Sequence, residues 1–230
     1  MNIRARYQEI RDEVPGYVTV VVAAKTRTPQ EIREVMAAGA TDLGENYLQE
    51  ALAMRDSLGE EADKVRWHMI GHLQHNKINK ALRIFDVIQT VDSLGTARAL
   101  DKRVNRVGKT VLPCYIEINI GNEDTKAGIK PGEHEPFEEY MVRIVRDVSA
   151  LGHLRIAGLM TMGPRFGNAE ESRPYFKRIK RIFDMLHDLG APRINMKHLS
   201  MGMTNSYRVA IEEGSNMVRI GTGVFGERVG

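Results

Sequence analysis

The chain has 230 residues, 42% hydrophobic and 27% charged, and Lys and Arg exceed Asp and Glu by 33 to 30 for a net charge of +3. So small a basic excess does not imply a nucleic-acid partner without a clustered patch, and the single cysteine, Cys114, excludes an internal disulfide. No apolar stretch reaches membrane-spanning length, and the opening "MNIRARYQEIRDEVPG" lacks the apolar core of a secretory signal, so a cytoplasmic protein that meets neither membrane nor nucleic acid is expected.

In chain order, a helix is predicted over 3–13 and a strand over 18–24, "VTVVVAA", ending in Lys25. "TPQEIREVMAAGA" then gives a helix with Thr28 as N-cap, Pro29 at its first position, Glu31 in its first turn and Gly39 as its stop. Further strands are predicted over 42–44, 65–70, 87–90, 111–118, 154–160, 196–199 and 217–220. Helical patterns lie between them, in "NYLQEALAMRDSL", "HNKINKALRIF", "SLGTARALDKRVNRV", "PFEEYMVRIVRDVSAL", "AEESRPYFKRIKRIFDMLHDL" and "NSYRVAIEEG". Alternation of strand and helix implies parallel pairing with right-handed crossovers. Eight such units fit one closed (β/α)8 TIM barrel over residues 1–230, in the α/β class, with an extra N-terminal helix. A doubly wound open sheet is the rival, since 42–44 and 87–90 are the weakest strands.

Active sites of such barrels lie at the C-terminal ends of the strands. Strands seven and eight are followed by Ser200-Met201-Gly202 and Gly221-Thr222-Gly223. Glycine permits close backbone approach and hydroxyls add donors, so these two loops form a candidate phosphate site. A lysine at the same mouth, Lys25, suggests an aldehyde cofactor that carries a phosphate, for which pyridoxal 5'-phosphate fits. Burial would lower the lysine's pKa and supply a neutral amine. Arg219, in a buried strand, requires an acceptor: a carboxylate, the cofactor's ring nitrogen or its phosphate. His68, His72 and His75 invite a metal reading, but Gly71 interrupts any single helix across them and no carboxylate nearby in sequence completes a set. No metal site is assigned. The basic runs Arg98 to Arg106 and Arg173 to Arg181 read as solvated helix faces, without the aromatics of a strand-binding platform.

These residues carry a resemblance. The segments "VAAKT", "LGENY", "WHMIGHLQHNK", "INIGNEDTKAG", "GLMTM", "LSMGM" and "GSNMVRIGTGVFGER" resemble the YggS/PROSC family of pyridoxal phosphate homeostasis proteins, related to the barrel domain of alanine racemase, over residues 18–228. The resemblance implies that Lys25 is the Schiff-base lysine. It implies that Ser200, Met201, Gly202, Gly221 and Thr222 hold phosphate, that Arg219 meets the cofactor ring or phosphate, and that Asn46 lies beside it. Ser206 stands where the family usually has an acidic residue, which removes a first-turn charge from the following helix.

Two functions are then weighed. The first is a binding, storage and delivery protein for pyridoxal phosphate, a monomer without turnover that passes its cofactor transiently to apo enzymes. The second is an amino acid racemase, which needs two positioned acid–base groups; Lys25 is one, Tyr47 or Lys126 would have to be the other, and no second domain follows strand eight. The loops 119–133 and 161–172 are the expected lids.

Overall fold

Short β-branched runs, each flanked by a helix start signal, leave little choice of partner: every strand can bury both faces only if helices cover the sheet outside and side chains fill it inside. A computed structural model, which describes residues 2–131, 136–163 and 167–227, shows how this is met. Eight parallel strands, β1 (Thr19–Ala23), β2 (Asp42–Glu45), β3 (Arg66–Met69), β4 (Val87–Val91), β5 (Leu112–Glu117), β6 (Leu154–Met160), β7 (Ile194–Met203) and β8 (Met217–Ile220), close in sequence order, with β8 pairing back onto β1. The open-sheet rival is thereby removed. The two weakest strands, β2 and β4, are full members of the barrel wall.

The helices among the described residues are α1 (Ile3–Glu13), α2 (Pro29–Ala37), α3 (Leu48–Leu58), α4 (Ile78–Ile84), α5 (Leu94–Val104), α6 (Phe137–Ser149), α7 (Arg173–His187), α8 (Tyr207–Glu212) and α9 (Thr222–Phe225). α2 starts as its sequence demands. Thr28 accepts the Glu31 backbone N–H, the Glu31 carboxylate accepts the Thr28 N–H at 2.7 Å, and Pro29 fills the first turn. The helices press Ile32, Val35, Leu100, Ile144, Ile179 and Leu186 onto the barrel's outer face, all buried; a fully buried side chain of this kind contributes about 1.5–3 kcal/mol. Cys114 belongs to this core. A separate cluster of Val21, Val87, Tyr115, Ala157, Met160 and Met217 fills the interior.

Three differences from the sequence reading bear on function. β7 runs four residues past the predicted end, to Met203, so "SMGM" is strand and not loop. α9 was not foreseen, and it starts inside the loop after β8. Residues 132–133 and 164–166, within the two expected lids, lie outside the described residues. Among the described residues no helix is long and apolar enough to cross a membrane.

Candidate functional site

The C-terminal ends of the strands surround a cavity of about 560 Å3. β1 contributes Ala23 and Lys25, β2 Asn46, β3 Ile70, β6 Met162, and the segment before α7 Ala169 and Ser172. β7 and its loop contribute Met203 to Ser206, and β8 with its loop Arg219, Gly221 and Thr222.

Of the eight residues expected to meet a cofactor, Lys25, Asn46, Arg219, Gly221 and Thr222 line this one cavity. Ser200, Met201 and Gly202 do not. They lie within β7, Ser200 and Met201 fully buried. Gly202 has a φ of +91°, and a Cβ there would come within 2.6 Å of the Ala210 Cβ. The glycine lets β7 pass close to α8. Because β7 is longer than expected, the loop that reaches the cavity is Thr204-Asn205-Ser206. Its signal was present in the sequence, as two hydroxyls and an amide ahead of a helix. Gly223 N–H donates to Thr204 Oγ1 at 3.2 Å, which ties the loops after β7 and β8 together.

Lys25 is half-buried. Its Nζ lies 3.3 Å from the Tyr47 hydroxyl and 4.6 Å from the centre of that ring. Tyr47, which followed Asn46 in the motif, thus screens the amine while leaving it reachable. Thr26 beside it has a φ of +63°, a strained value for a β-branched residue. Glu50 accepts its N–H at 2.9 Å and holds the turn.

Arg219 is 4% exposed. Nη1 donates to the carbonyl of Ser200 at 2.9 Å and to its hydroxyl at 2.7 Å, and Nη2 donates to the carbonyl of Thr161 at 2.7 Å. Its partners in the protein are therefore neutral oxygens. Burial pushes its pKa down to about 10, opposed by the carboxyl of Glu117. Glu117 is itself buried with Oε2 unpartnered; burial, with Asp92 adding and Arg219 opposing, raises it to about 7.

The three histidines separate. His68 bonds Asp42 at 2.9 Å, His72 bonds Asp92 at 3.1 Å and His75 bonds the Thr96 hydroxyl at 3.2 Å. The carboxylates that the sequence did not place nearby come from β2 and the end of β4, each to a different histidine. Among the described residues no group of three or more His, Cys, Asp and Glu is placed to hold a metal. Lys126 is tied to Glu123 and to the carbonyl of Gly163, at 2.5 and 2.8 Å, and is not among the cavity's lining residues. The basic face of α7 is matched by acids: Arg173 pairs with Glu170, Glu212 and Glu213, and Lys180 with Asp184.

A model of the alanine racemase N-terminal domain matches residues 1–229. The pyridoxal phosphate homeostasis protein of Aquifex aeolicus is 38% identical over 90% of this chain and 85% of its own, and that of Haemophilus influenzae is 34% identical over 92% and 85%. The chain belongs to the pyridoxal phosphate homeostasis protein family. Among solved structures, PipY of Synechococcus elongatus without pyridoxal phosphate matches with a TM-score of 0.88 at 30% identity, covering 98% of this chain and 100% of that one. The same protein with pyridoxal phosphate bound matches at 0.85. An alanine racemase of Clostridium difficile shares the fold, with a TM-score of 0.77 at 17% identity, and this chain covers 60% of it.

Proposed function

We propose that this family member binds pyridoxal 5'-phosphate at the barrel mouth and serves in the cell's handling of that cofactor, holding and releasing it rather than using it for turnover. The observation that carries this reading is a reachable lysine and a buried guanidinium without a carboxylate in hydrogen-bond contact, facing one cavity with two tied polar loops. The residues fit the group. Gly221, Thr222 and the Thr204–Ser206 loop supply small and hydroxyl-bearing positions for a phosphate, Arg219 retains N–H groups for an acceptor on the ring, and Asn46 stands beside Lys25 in the wall. When bound, the cofactor supplies an aldehyde that condenses reversibly with a primary amine, for which Lys25 is placed.

Release is favoured by the same geometry. Lys25 keeps access to water, so a competing amine can reach it. Apo enzymes that use the cofactor are the proposed recipients, and the working form is a monomer in the cytoplasm. Among the described residues, the exposed large apolar side chains, Tyr17, Tyr47 and Val111, lie in three different connections far apart in sequence.

The racemase reading is disfavoured by Arg219. A guanidinium can only donate, so a ring nitrogen facing it must stay unprotonated, which leaves the ring a weak electron sink. The test is an absorbance titration with pyridoxal phosphate. Wild type should show a saturable new band and Lys25→Ala should not, and a chiral assay of the loaded wild type with L-alanine should show no turnover. Identical titrations of the two proteins would sink the assignment of Lys25; racemisation near the enzymatic median of about 10 s⁻¹ would restore the enzyme reading.

A further inference from the structure

A line of polar side chains runs through the barrel from the cavity to the opposite mouth. Arg219 Nη1 lies 2.7 Å from Ser200 Oγ. Ser200 Oγ lies 2.8 Å from Gln89 Oε1, Gln89 Nε2 lies 2.9 Å from His68 Nδ1, and His68 Nε2 lies 2.9 Å from Asp42 Oδ1. His68, Gln89 and Ser200 are fully buried and Asp42 is 5% exposed.

With the Gln89 amide oriented Oε1 toward Ser200 and Nε2 toward His68, every bond along the line runs in one direction. A guanidinium has donors only, so Ser200 Oγ accepts from Arg219 and turns its own proton to the Gln89 carbonyl. That leaves the Gln89 amide N–H for His68, so Nδ1 must accept and carries no proton. The proton of the neutral ring sits on Nε2 and is donated to Asp42. Amide orientation and imidazole tautomer are ordinarily assigned rather than observed; the opposite orientation of the Gln89 amide would make Ser200 Oγ accept twice and require a His68 ring protonated on both nitrogens, so the protons on His68 tell the two arrangements apart. Asp42 is suited to end the line. Burial raises its pKa, but hydrogen bonds from His68 and Thr41, with Arg66 at 3.6 Å, outweigh this and hold it below the ordinary value.

We infer that Asp42, His68 and Gln89, which do not line the cavity, are positioning residues for Arg219. The inference rests on the reading that Arg219 meets the cofactor. The hold has a competitor to resist. Glu117 is a buried carboxyl with a free oxygen that senses Arg219, yet no ion pair within 4.0 Å joins them. Three of the guanidinium's five N–H groups are spent on Ser200 and Thr161, so Arg219 is kept from turning to Glu117 and the remaining donors stay free for a ligand. Chains of hydrogen bonds polarised in one direction reinforce each other in a low-dielectric interior.

The experiment has two arms. In the apo protein, ¹⁵N NMR of the histidine rings, with the His68 signals assigned by their loss in His68→Asn, should show a neutral ring protonated on Nε2 near pH 7.5. A proton on Nδ1, or on both nitrogens, overturns the direction of the line. The second arm measures affinity for pyridoxal phosphate and the ¹⁵N signal of its labelled ring nitrogen. Gln89→Met, checked for folding by circular dichroism, should bind up to about tenfold more weakly, which is the upper end of what one neutral hydrogen bond carries. Its ring signal should shift, and Gln89→Met with Glu117→Gln should recover most of the loss, because the competing carboxylate is gone. A folded Gln89→Met with wild-type affinity and ring signal overturns the positioning role, as does a double variant no better than the single. If Gln89→Met does not fold, Asp42→Asn, which exchanges the charged acceptor of His68 for a neutral one, should weaken binding several-fold, and unchanged binding overturns the positioning role of Asp42. If wild type does not bind the cofactor, the functional reading fails and the positioning role falls with it, while the His68 tautomer still decides the line itself.

Discussion

Glu45, at the end of β2, has both carboxylate oxygens buried without a hydrogen-bond partner. Burial, with the charge of Glu50 adding and the nearby Asn46 amide pulling weakly the other way, raises its pKa to about 8. A carboxyl whose folded pKa lies above its unfolded value is neutral in the fold while the unfolded chain ionises. Its contribution is fully present below the unfolded pKa near 4.5 and is lost as pH rises toward 8. The loss reaches up to about 4 kcal/mol by pH 8. Glu45→Gln keeps an acceptor and removes the titration. Urea unfolding should show it more stable than wild type at pH 8 and near parity at pH 4.5; a constant difference across that range would contradict the raised pKa. The lysine ending the first strand shows the opposite solution at residue scale. Lys25 is only half-buried, with its amine 3.3 Å from the Tyr47 hydroxyl.

Among elements, α2 is the one whose start is most fully encoded, and it fixes the chain just after Lys25. Thr28→Ala removes the side-chain acceptor for the Glu31 N–H and half of the reciprocal pair. A loss of about 1 kcal/mol is expected, seen as a fall in Tm of about 2–4 °C for a domain of this size; an unchanged Tm would mean that solvent replaces the cap. Elements with such local signals were legible: α1 and β6 have the bounds that the sequence predicts. β7 was not, because Ser200-Met201-Gly202 resembles a loop when taken alone, and only its pairing with β6 and β8, Ser200 opposite Met160 and Met217, makes it strand. β2 and β4 were the weakest strands for a related reason. Asp42 and Gln89 put polar groups where a buried strand should be apolar, and their partners, His68 and Ser200, lie far away in sequence. The residues that blurred these strands are those that cross the barrel to Arg219.

For the molecule as a whole, eight short parallel strands in sequence order close the barrel, and closure itself assembles the site. Lys25 and Arg219 are 194 residues apart, yet both line the mouth because β8 pairs with β1, Arg219 opposite Val21. The sequence placed five of its eight candidate residues at that mouth, since their strand ends were marked by apolar runs stopping at polar residues. It could not place the carboxylates around His68 and His72, nor foresee that Lys126 would be held by Glu123 and Gly163, because these contacts depend on which strand lies beside which. The central claim is that Lys25 is the amine that holds pyridoxal phosphate. Loading the purified protein with the cofactor, reducing with borohydride and mapping peptides by mass spectrometry tests it most directly. The account predicts a single stable adduct on the peptide that contains Lys25, absent from Lys25→Ala; an adduct confined to another lysine, such as Lys126, or none at all on the loaded wild type, would contradict it.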